Sequence, residues 1–181
     1  MTLVRIQIDV RAMQVDILIA SGYKWMTSGF GNAVLYLRKE LLDRFQQPVV
    51  GNNSLDGFPD FKNSSELSFN MRSFEVGHFA FASFLNMGNA LKEIMAIGLE
   101  QIYARNQKLM TYVYQTLEDK IITFYPQENR SSIIVLKGDQ ALYEKLTHQN
   151  IATTIRGKGI RAGLHFYNTE EDVDILAKAL A

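Results

Sequence analysis

Lys24 is the residue of this 181-residue chain whose surroundings best suit covalent chemistry. It follows an apolar, β-branched stretch at residues 15–20 and stands between two aromatic residues, Tyr23 and Trp25. A lysine at the junction of a buried strand and a loop is expected to be partly desolvated, which disfavours its ammonium form. The neutral amine is the nucleophile that condenses with an aldehyde. From the spacing alone, the alternative is a lysine whose charged end reaches solvent from a strand end.

The other reactive side chains do not form a recognisable site. The three histidines, His78, His148 and His165, lack the spacing of metal ligands, and the chain has no cysteine, which excludes thiolate zinc sites and a Cys nucleophile. The turn at residues 156–159 contains two glycines but lacks the length and the Ser or Thr of a phosphate-binding P-loop. We therefore predict no metal site.

Charge and hydropathy restrict the partners. Lys and Arg number 19 and Asp and Glu number 19, so the zero net charge offers no electrostatic attraction to nucleic acid or to an anionic membrane. No apolar run reaches the roughly 18 residues that a spanning helix requires. Charge close to the N-terminus is atypical of a secretory signal, so we expect a cytoplasmic protein.

The elements that position Lys24 follow from hydrophobic spacing and from glycine and proline positions. Apolar runs and helical periodicity predict strands at 15–20 and 33–37, a short helix at 38–45 and long helices at 79–97 and 99–117. The last third predicts a small two-layer α+β unit, with strands at 121–125, 132–136, 151–155 and 160–166 and helices at 140–149 and from 168 onward. We place a domain boundary near residue 118, between a domain at 1–117 and a domain at 118–181.

Residues 48–77 are the least regular part of the chain. Glycine, proline, asparagine and serine interrupt them throughout, which is typical of a surface loop. Their many apolar residues, such as Leu55 and Phe74, favour a segment that packs against another surface, for instance a second subunit.

Three motifs in the same order resemble the class V aminotransferase superfamily of fold-type I enzymes that depend on pyridoxal phosphate. They are the segment at 21–25 with its continuation at 29–39, the Phe-Glu-Val-Gly-His stretch at 74–78, and the C-terminal stretch at 160–172. The resemblance implies an α/β fold: the end of the large domain, a mostly parallel sheet with helices, followed by a small C-terminal α+β domain.

The resemblance also implies roles for individual residues. Lys24 would form the internal aldimine with pyridoxal 5′-phosphate and later carry the α-proton, while Ser21 and Tyr23 would donate hydrogen bonds to the cofactor phosphate. Arg161 would bind the substrate α-carboxylate through the two-pronged hydrogen bonding that a guanidinium offers.

A homodimer is implied as well, because members of the superfamily pair across the active site. His78 stands where many relatives have a threonine that reaches the phosphate of the neighbouring subunit, and an imidazole is still able to donate there. Gly51 and Asn52 would belong to the loop that approaches the site of the partner.

A complete enzyme of this superfamily is about twice as long, so the resemblance covers its C-terminal half. Cysteine desulfurases carry a Cys on a loop before the final arginine, and this chain has no Cys and only a short turn between residues 156 and 161. This absence argues against a desulfurase that works through a persulfide and leaves transamination, lysis and epimerisation open. Among these we predict an aminotransferase acting on an amino acid and a keto acid, because it is the broad default of the superfamily and not because the residues single it out. The alternatives are a lyase or epimerase of the same superfamily, or an inactive binding or structural module. The isolated chain is expected to be inactive and to self-associate.

Overall fold

The computed structural model describes residues 8–45, 47–56, 67–68, 70–122, 125–126 and 130–181. The chain divides into two compact units, residues 1–97 and residues 98–181. Parts of the predicted strand at 121–125 and of the irregular segment at 48–77 lie outside the described residues. Within the described ranges, no helix is both long enough and apolar enough to cross a bilayer.

Among its described residues, the first unit contains a two-stranded sheet and one long helix. Strand β1 (Ile17–Ser21) pairs with β2 (Ala33–Leu37), and helix α1 (Phe81–Ile97) follows three short 3₁₀ helices at Lys39–Arg44, Asn52–Ser54 and Met71–Phe74. The prediction of β2 is confirmed at both ends, whereas β1 begins two residues later than predicted. The short helix predicted at 38–45 is a 3₁₀ helix, the tighter form that suits short pieces of chain.

The two strands are less buried than expected, and they form one antiparallel pair, which a mostly parallel sheet can include. They run antiparallel, because a connection without a helix joins them, whereas a parallel pair needs a long crossover. Successive side chains of a strand point to opposite faces of the sheet, and only one of these faces is buried here. Leu18 is 5% exposed, while Ile19 on the other face is 65% exposed. The sheet therefore leaves an apolar face uncovered in this chain.

Helix α1 is also less buried than its composition predicts. Met87 and Ile94 are buried, whereas Phe81, Leu85 and Met95 are largely exposed. Large apolar patches of this kind mark surfaces that associate with other surfaces. The self-association of the isolated chain therefore stays a prediction that these exposed side chains support.

In the part of the second unit that the structure describes, helices cover a three-stranded antiparallel sheet. This part consists of α2 (Leu99–Thr116), a 3₁₀ helix (Glu118–Lys120), β3 (Ile133–Leu136), α3 (Gln140–His148), β4 (Thr154–Arg156), β5 (Gly159–Gly163) and α4 (Glu170–Ala179). The strand order is β3-β5-β4, so the central strand is β5. The predicted two-layer α+β unit is thus present, with β4 and β5 shorter than predicted.

The core of the second unit includes the helix that precedes the predicted boundary. Val113 near the end of α2 and Leu117 just after it belong to one buried cluster. The same cluster contains Leu136 and Ile160 from the sheet and Leu146 from α3. The second compact unit consequently begins at residue 98 of the chain, about one helix earlier than the predicted boundary near residue 118. The assignment of 1–117 and 118–181 to the domains of a complete enzyme remains a prediction.

Candidate active site

Lys24 lies on the loop between β1 and β2, and this loop is closed by its own hydrogen bonds. The backbone N–H of Gly22 donates to the carbonyl of Asn32 at 3.1 Å. The Ser28 hydroxyl donates to Oδ1 of Asn32 at 2.7 Å, and Nδ2 of Asn32 donates back to the Ser28 carbonyl at 2.9 Å. Because both ends of the loop are tied together, the segment that carries Lys24 has a defined conformation.

The backbone of this loop requires glycine at three places. Gly29 and Gly31 have φ angles of 74° and 82°, in the left-handed region that glycine adopts at little cost. A Cβ atom on Gly22 would lie 1.7 Å from Oδ1 of Asn32, so only glycine allows the closing contact. These glycines, which carry no chemistry themselves, explain the Gly-rich spacing that follows Lys24 in the sequence.

The loop is also attached to the start of α1. Nδ2 of Asn32 donates to the Ser83 carbonyl at 3.1 Å, and the Ser83 hydroxyl donates to the Phe30 carbonyl at 3.2 Å. The Phe30 ring stacks on Tyr23, with 5.2 Å between ring centres. Helix α1 therefore supports the loop that carries Lys24 and Tyr23. The sequence did not predict the roles of Asn32 and Ser83. Their hydrogen-bond partners are either distant in sequence or are backbone atoms of the loop.

Lys24 is exposed in this chain, so the predicted desolvation of its amine is wrong for the chain by itself. Its Nζ lies 5.3 Å from the centre of the Tyr23 ring and forms no salt bridge within the described ranges. The reason is that the residue follows the end of β1, beside a sheet with one uncovered face. The amine is sterically accessible to an aldehyde.

Ser21 and Tyr23 flank Lys24 on the N-terminal side. Ser21 is the last residue of β1, half-buried and opposite Ala33, while Tyr23 is exposed over nearly half of its surface. The structure thus brings two hydroxyl donors and one amine together at one strand end. Their roles toward a phosphate remain predictions.

His78 lies just before α1 in the first unit and is exposed. The preceding segment is held by Nδ2 of Asn53, which donates to the Gly77 carbonyl, and by the Ser54 hydroxyl, which donates to the Glu75 carbonyl at 3.2 Å. Gly51 allows this packing, because a Cβ there would lie 1.8 Å from the Val76 carbonyl oxygen. In this chain Gly51 thus has a packing role, and its predicted approach to a partner site remains untested.

Arg161 is on the central strand of the second unit, between Val135 of β3 and Thr154 of β4. Its neighbours Ile160 and Ala162 are buried against the helices, so alternation directs Arg161 to the opposite face of the sheet. Arg161 is half-buried, and it has no ion pair or hydrogen bond with any residue in the described ranges. Its guanidinium is therefore available to an external carboxylate.

Helices α2 and α4 are joined by contacts that the sequence did not predict. Arg105 donates from Nη1 and Nη2 to the two carboxylate oxygens of Glu170, at 2.8 and 3.1 Å, and Nη2 also donates to the Asn168 carbonyl at 2.8 Å. The Tyr112 hydroxyl donates to Asp174 at 2.7 Å. Thr169 and Asp172 also form a capping box at the start of α4.

We predict that Glu170→Gln lowers the melting temperature of the protein. The hydrogen bonds from Arg105 lower the pKa of Glu170 from 4.5 to about 2, so its carboxylate stabilises the folded state fully above pH 4.5. This contribution is lost as the pH falls from 4.5 towards 2. Glu171→Gln is the matched control, because it removes the same charge from the same helix turn. Equal melting temperatures for the two variants at pH 7 would contradict the role of this contact.

No cluster of three or more metal-ligating side chains occurs among the described residues.

Solved structures define the class of fold. A cysteine desulfurase from Thermococcus onnurineus, solved without ligand, superposes with a TM-score of 0.86 at 20% identity, covering 98% of this chain and 49% of its own. The cystine C–S lyase C-DES, in complex with its product cysteine persulfide, has a TM-score of 0.87 at 21% identity with the same coverage. The chain thus has the fold of about half of a fold-type I pyridoxal-phosphate enzyme.

The sequence profile named "Aminotransferase class-V" matches residues 1–176, and the chain belongs to that family. Similar curated proteins include a probable cysteine desulfurase from Halalkalibacterium halodurans, 27% identical, and a cysteine desulfurase from Shigella flexneri, 26% identical. Each alignment covers 96% of this chain and 47% of the relative. The chain spans about half the length of the curated relatives it matches.

Pyridoxal 5′-phosphate is the cofactor of this family, and one solved C-DES structure contains glycine covalently linked to it. The side chains at the end of β1 carry functional groups of the types that bind this cofactor. Lys24 offers an accessible amine to its aldehyde, and the Ser21 and Tyr23 hydroxyls offer donors to its phosphate. That these residues contact the cofactor in this protein remains a prediction.

Proposed function

We propose that this chain supplies Lys24 and Arg161 to a pyridoxal-phosphate enzyme that breaks the C–S bond of a cystine-type amino acid. At the coarser level, the chain belongs to the class V family of pyridoxal-phosphate enzymes. The finer prediction of an aminotransferase has less support, because the similar curated relatives are cysteine desulfurases. The alternative of a lyase within the same superfamily is the one that these relatives favour.

The observation that carries this proposal is the alignment of 96% of the chain with cysteine desulfurases. One structural feature refines it. Strands β4 and β5 are joined by a tight turn of Gly157 and Lys158, with Gly157 at a φ of 59°. This turn has no room for the mobile loop that presents a desulfurase cysteine, and the chain contains no cysteine. The sulfur is therefore proposed to leave on a small molecule.

The proposed roles follow from position and chemistry. Bound pyridoxal phosphate withdraws electrons from the Cα atom of an attached amino acid. Lys24 would hold the cofactor and accept the Cα proton at Nζ once that nitrogen is released. Arg161, which has no partner in the described ranges, would orient the substrate through two hydrogen bonds to its α-carboxylate.

The reaction is redox-neutral. Cystine and one water give cysteine persulfide, pyruvate and ammonia: the Cα–H and Cβ–S bonds break, and the bonding electron pair leaves with sulfur. Water then replaces nitrogen at Cα.

The test is product analysis with the full-length protein loaded with pyridoxal phosphate. With L-cystine we expect pyruvate and persulfide sulfur in equal amounts over many turnovers, and no persulfide on this chain by mass spectrometry. Pyruvate can be measured with lactate dehydrogenase, and sulfur as sulfide after reduction. Absence of pyruvate from cystine would contradict the proposal.

Transamination is the second candidate, and the missing cysteine favours it as well. An alanine–glyoxylate aminotransferase from Nostoc sp. shares the fold, with a TM-score of 0.71 at 19% identity. L-Alanine with glyoxylate is the matching assay: glycine and pyruvate formed only when both are present, with no sulfur released from cystine, would favour this reaction.

An inactive module would bind cofactor without converting any of these substrates. A homodimer and a cytoplasmic location remain predictions, which sedimentation of the complete protein and cell fractionation can check. The isolated 181-residue chain is expected to show no turnover, because Lys24 lies on an open surface in it.

A further inference from the structure

The small α+β unit contains a cavity that the proposed chemistry does not use. It lies between α4, the segment that leads into β4, and the helix-covered face of β5, and its volume is about 440 Å³. This size falls within the range of roughly 300–1,000 Å³ that small-molecule sites occupy. Its apolar lining includes Ile151, Leu164, Val173 and Leu176.

Thr153 adds a polar group to this lining. Its Oγ1 atom is buried and has no hydrogen-bond partner among the described residues. Buried hydroxyls in native proteins almost always have a partner, whether protein, water or ligand. A molecule in the cavity that carries its own hydroxyl would supply that partner.

The charges of the lining restrict the ligand. Asp172 is the one charged side chain among the lining residues that the structure describes, and no lysine or arginine accompanies it. The Asp172 carboxylate already accepts hydrogen bonds from the Thr169 backbone N–H and from Nδ2 of Asn168. An anion would therefore meet a negative charge without a compensating cation, whereas a neutral molecule would not.

The entrance of the cavity favours a flat, apolar ligand. Tyr167 and Ile175 both line it, and both are exposed, at 65% and 47%. One face of the Tyr167 ring is stacked on His165, with 4.4 Å between ring centres, so a ligand ring would meet its other face or its edge.

We propose that this cavity is a binding site for a small neutral molecule that combines an aromatic ring with a hydroxyl group, the hydroxyl bonding to Thr153. The site is separate from the carboxylate site proposed above. Ala162 lines the cavity, whereas its neighbour Arg161 lies on the opposite face of β5. A ligand here would not compete with substrate for Arg161, and this inference does not depend on the reaction catalysed.

The test uses methyl NMR of the full-length holoenzyme, titrated with benzyl alcohol. Shifts are expected at the methyl groups of Ile151 and Ile175 and not at Ile19, which lies in the other unit. Benzoate, which has the same ring and an anionic group, should bind at least about fivefold more weakly. Equal binding of benzoate, or no shifts with benzyl alcohol, would overturn the proposal and leave water as the partner of Thr153.

Two valine variants test the hydroxyl directly. Thr153→Val preserves the shape of the side chain and removes its hydroxyl, and it should weaken benzyl alcohol about fivefold. Thr154→Val is the matched control, because Thr154 is exposed and does not line the cavity. A third variant, Ala152→Trp, should block binding by filling the entrance. Equal affinities for the two valine variants would overturn the hydrogen bond to Thr153.

Discussion

Lys24→Ala is expected to reduce kcat of the full-length enzyme by about a thousandfold or more. The substitution removes the amine that condenses with the cofactor and the base that accepts the Cα proton, and a positioned acid or base alone contributes about 10²–10⁴-fold. Borohydride treatment of the wild-type holoenzyme should fix the cofactor to one peptide, and mass spectrometry should locate it on Lys24. The variant should show no such adduct.

Lys39→Ala is the matched control for this experiment. Lys39 lies in the same unit, is exposed, and forms no ion pair within the described ranges, so its removal changes the same charge without touching the proposed site. It should retain both the adduct and the turnover. An adduct that persists in Lys24→Ala, or a kcat within tenfold of wild type, would assign the covalent role to another lysine.

The exposure of Lys24 shows which part of the site was predictable. The sequence indicated a reactive lysine at a strand end, and the structure has Lys24 directly after β1. Partial burial could not be inferred from neighbours in sequence, because burial depends on what covers the face of the sheet that contains Ile19. In the relatives, the chain corresponds to only about half of the polypeptide. We expect the remaining half to provide the covering surface.

The same distinction applies to the fold. Hydrophobic spacing predicted β2, α1 and the small α+β unit well, because those patterns express local periodicity. It did not predict that α2 belongs to the core of the second unit, since this depends on packing between residues distant in sequence, such as Val113 with Leu146 and Ile160 in one buried cluster. Nor could it predict that Asn32 holds the Lys24 loop against Ser83. Such contacts leave no periodic signal in a single sequence.

Arg161→Lys is expected to lower kcat/KM for the amino acid substrate about 10–100-fold, mainly by raising KM. Lysine keeps the positive charge and loses the planar fork that makes two parallel hydrogen bonds to a carboxylate. Arg161 is suited to this role because it lies on the face of β5 opposite the core and has no partner in the described ranges. Steady-state kinetics of the full-length holoenzyme measures the effect, and borohydride capture at Lys24 should be unchanged.

A comparison of a substrate that has the α-carboxylate with one that lacks it tests the role of Arg161 more directly. If Arg161 binds that group, the loss caused by Arg161→Lys should largely disappear with a substrate amide, because the amide has no carboxylate for the fork to bind. A loss of equal size with acid and amide would instead mean that the substitution disturbs the sheet. Arg156→Lys on β4 is the matched control: it makes the same chemical change on a neighbouring strand at an exposed position, and both substrates should react as with wild type. The predicted role of Arg161 therefore depends on the difference between the two substrates and not on activity alone.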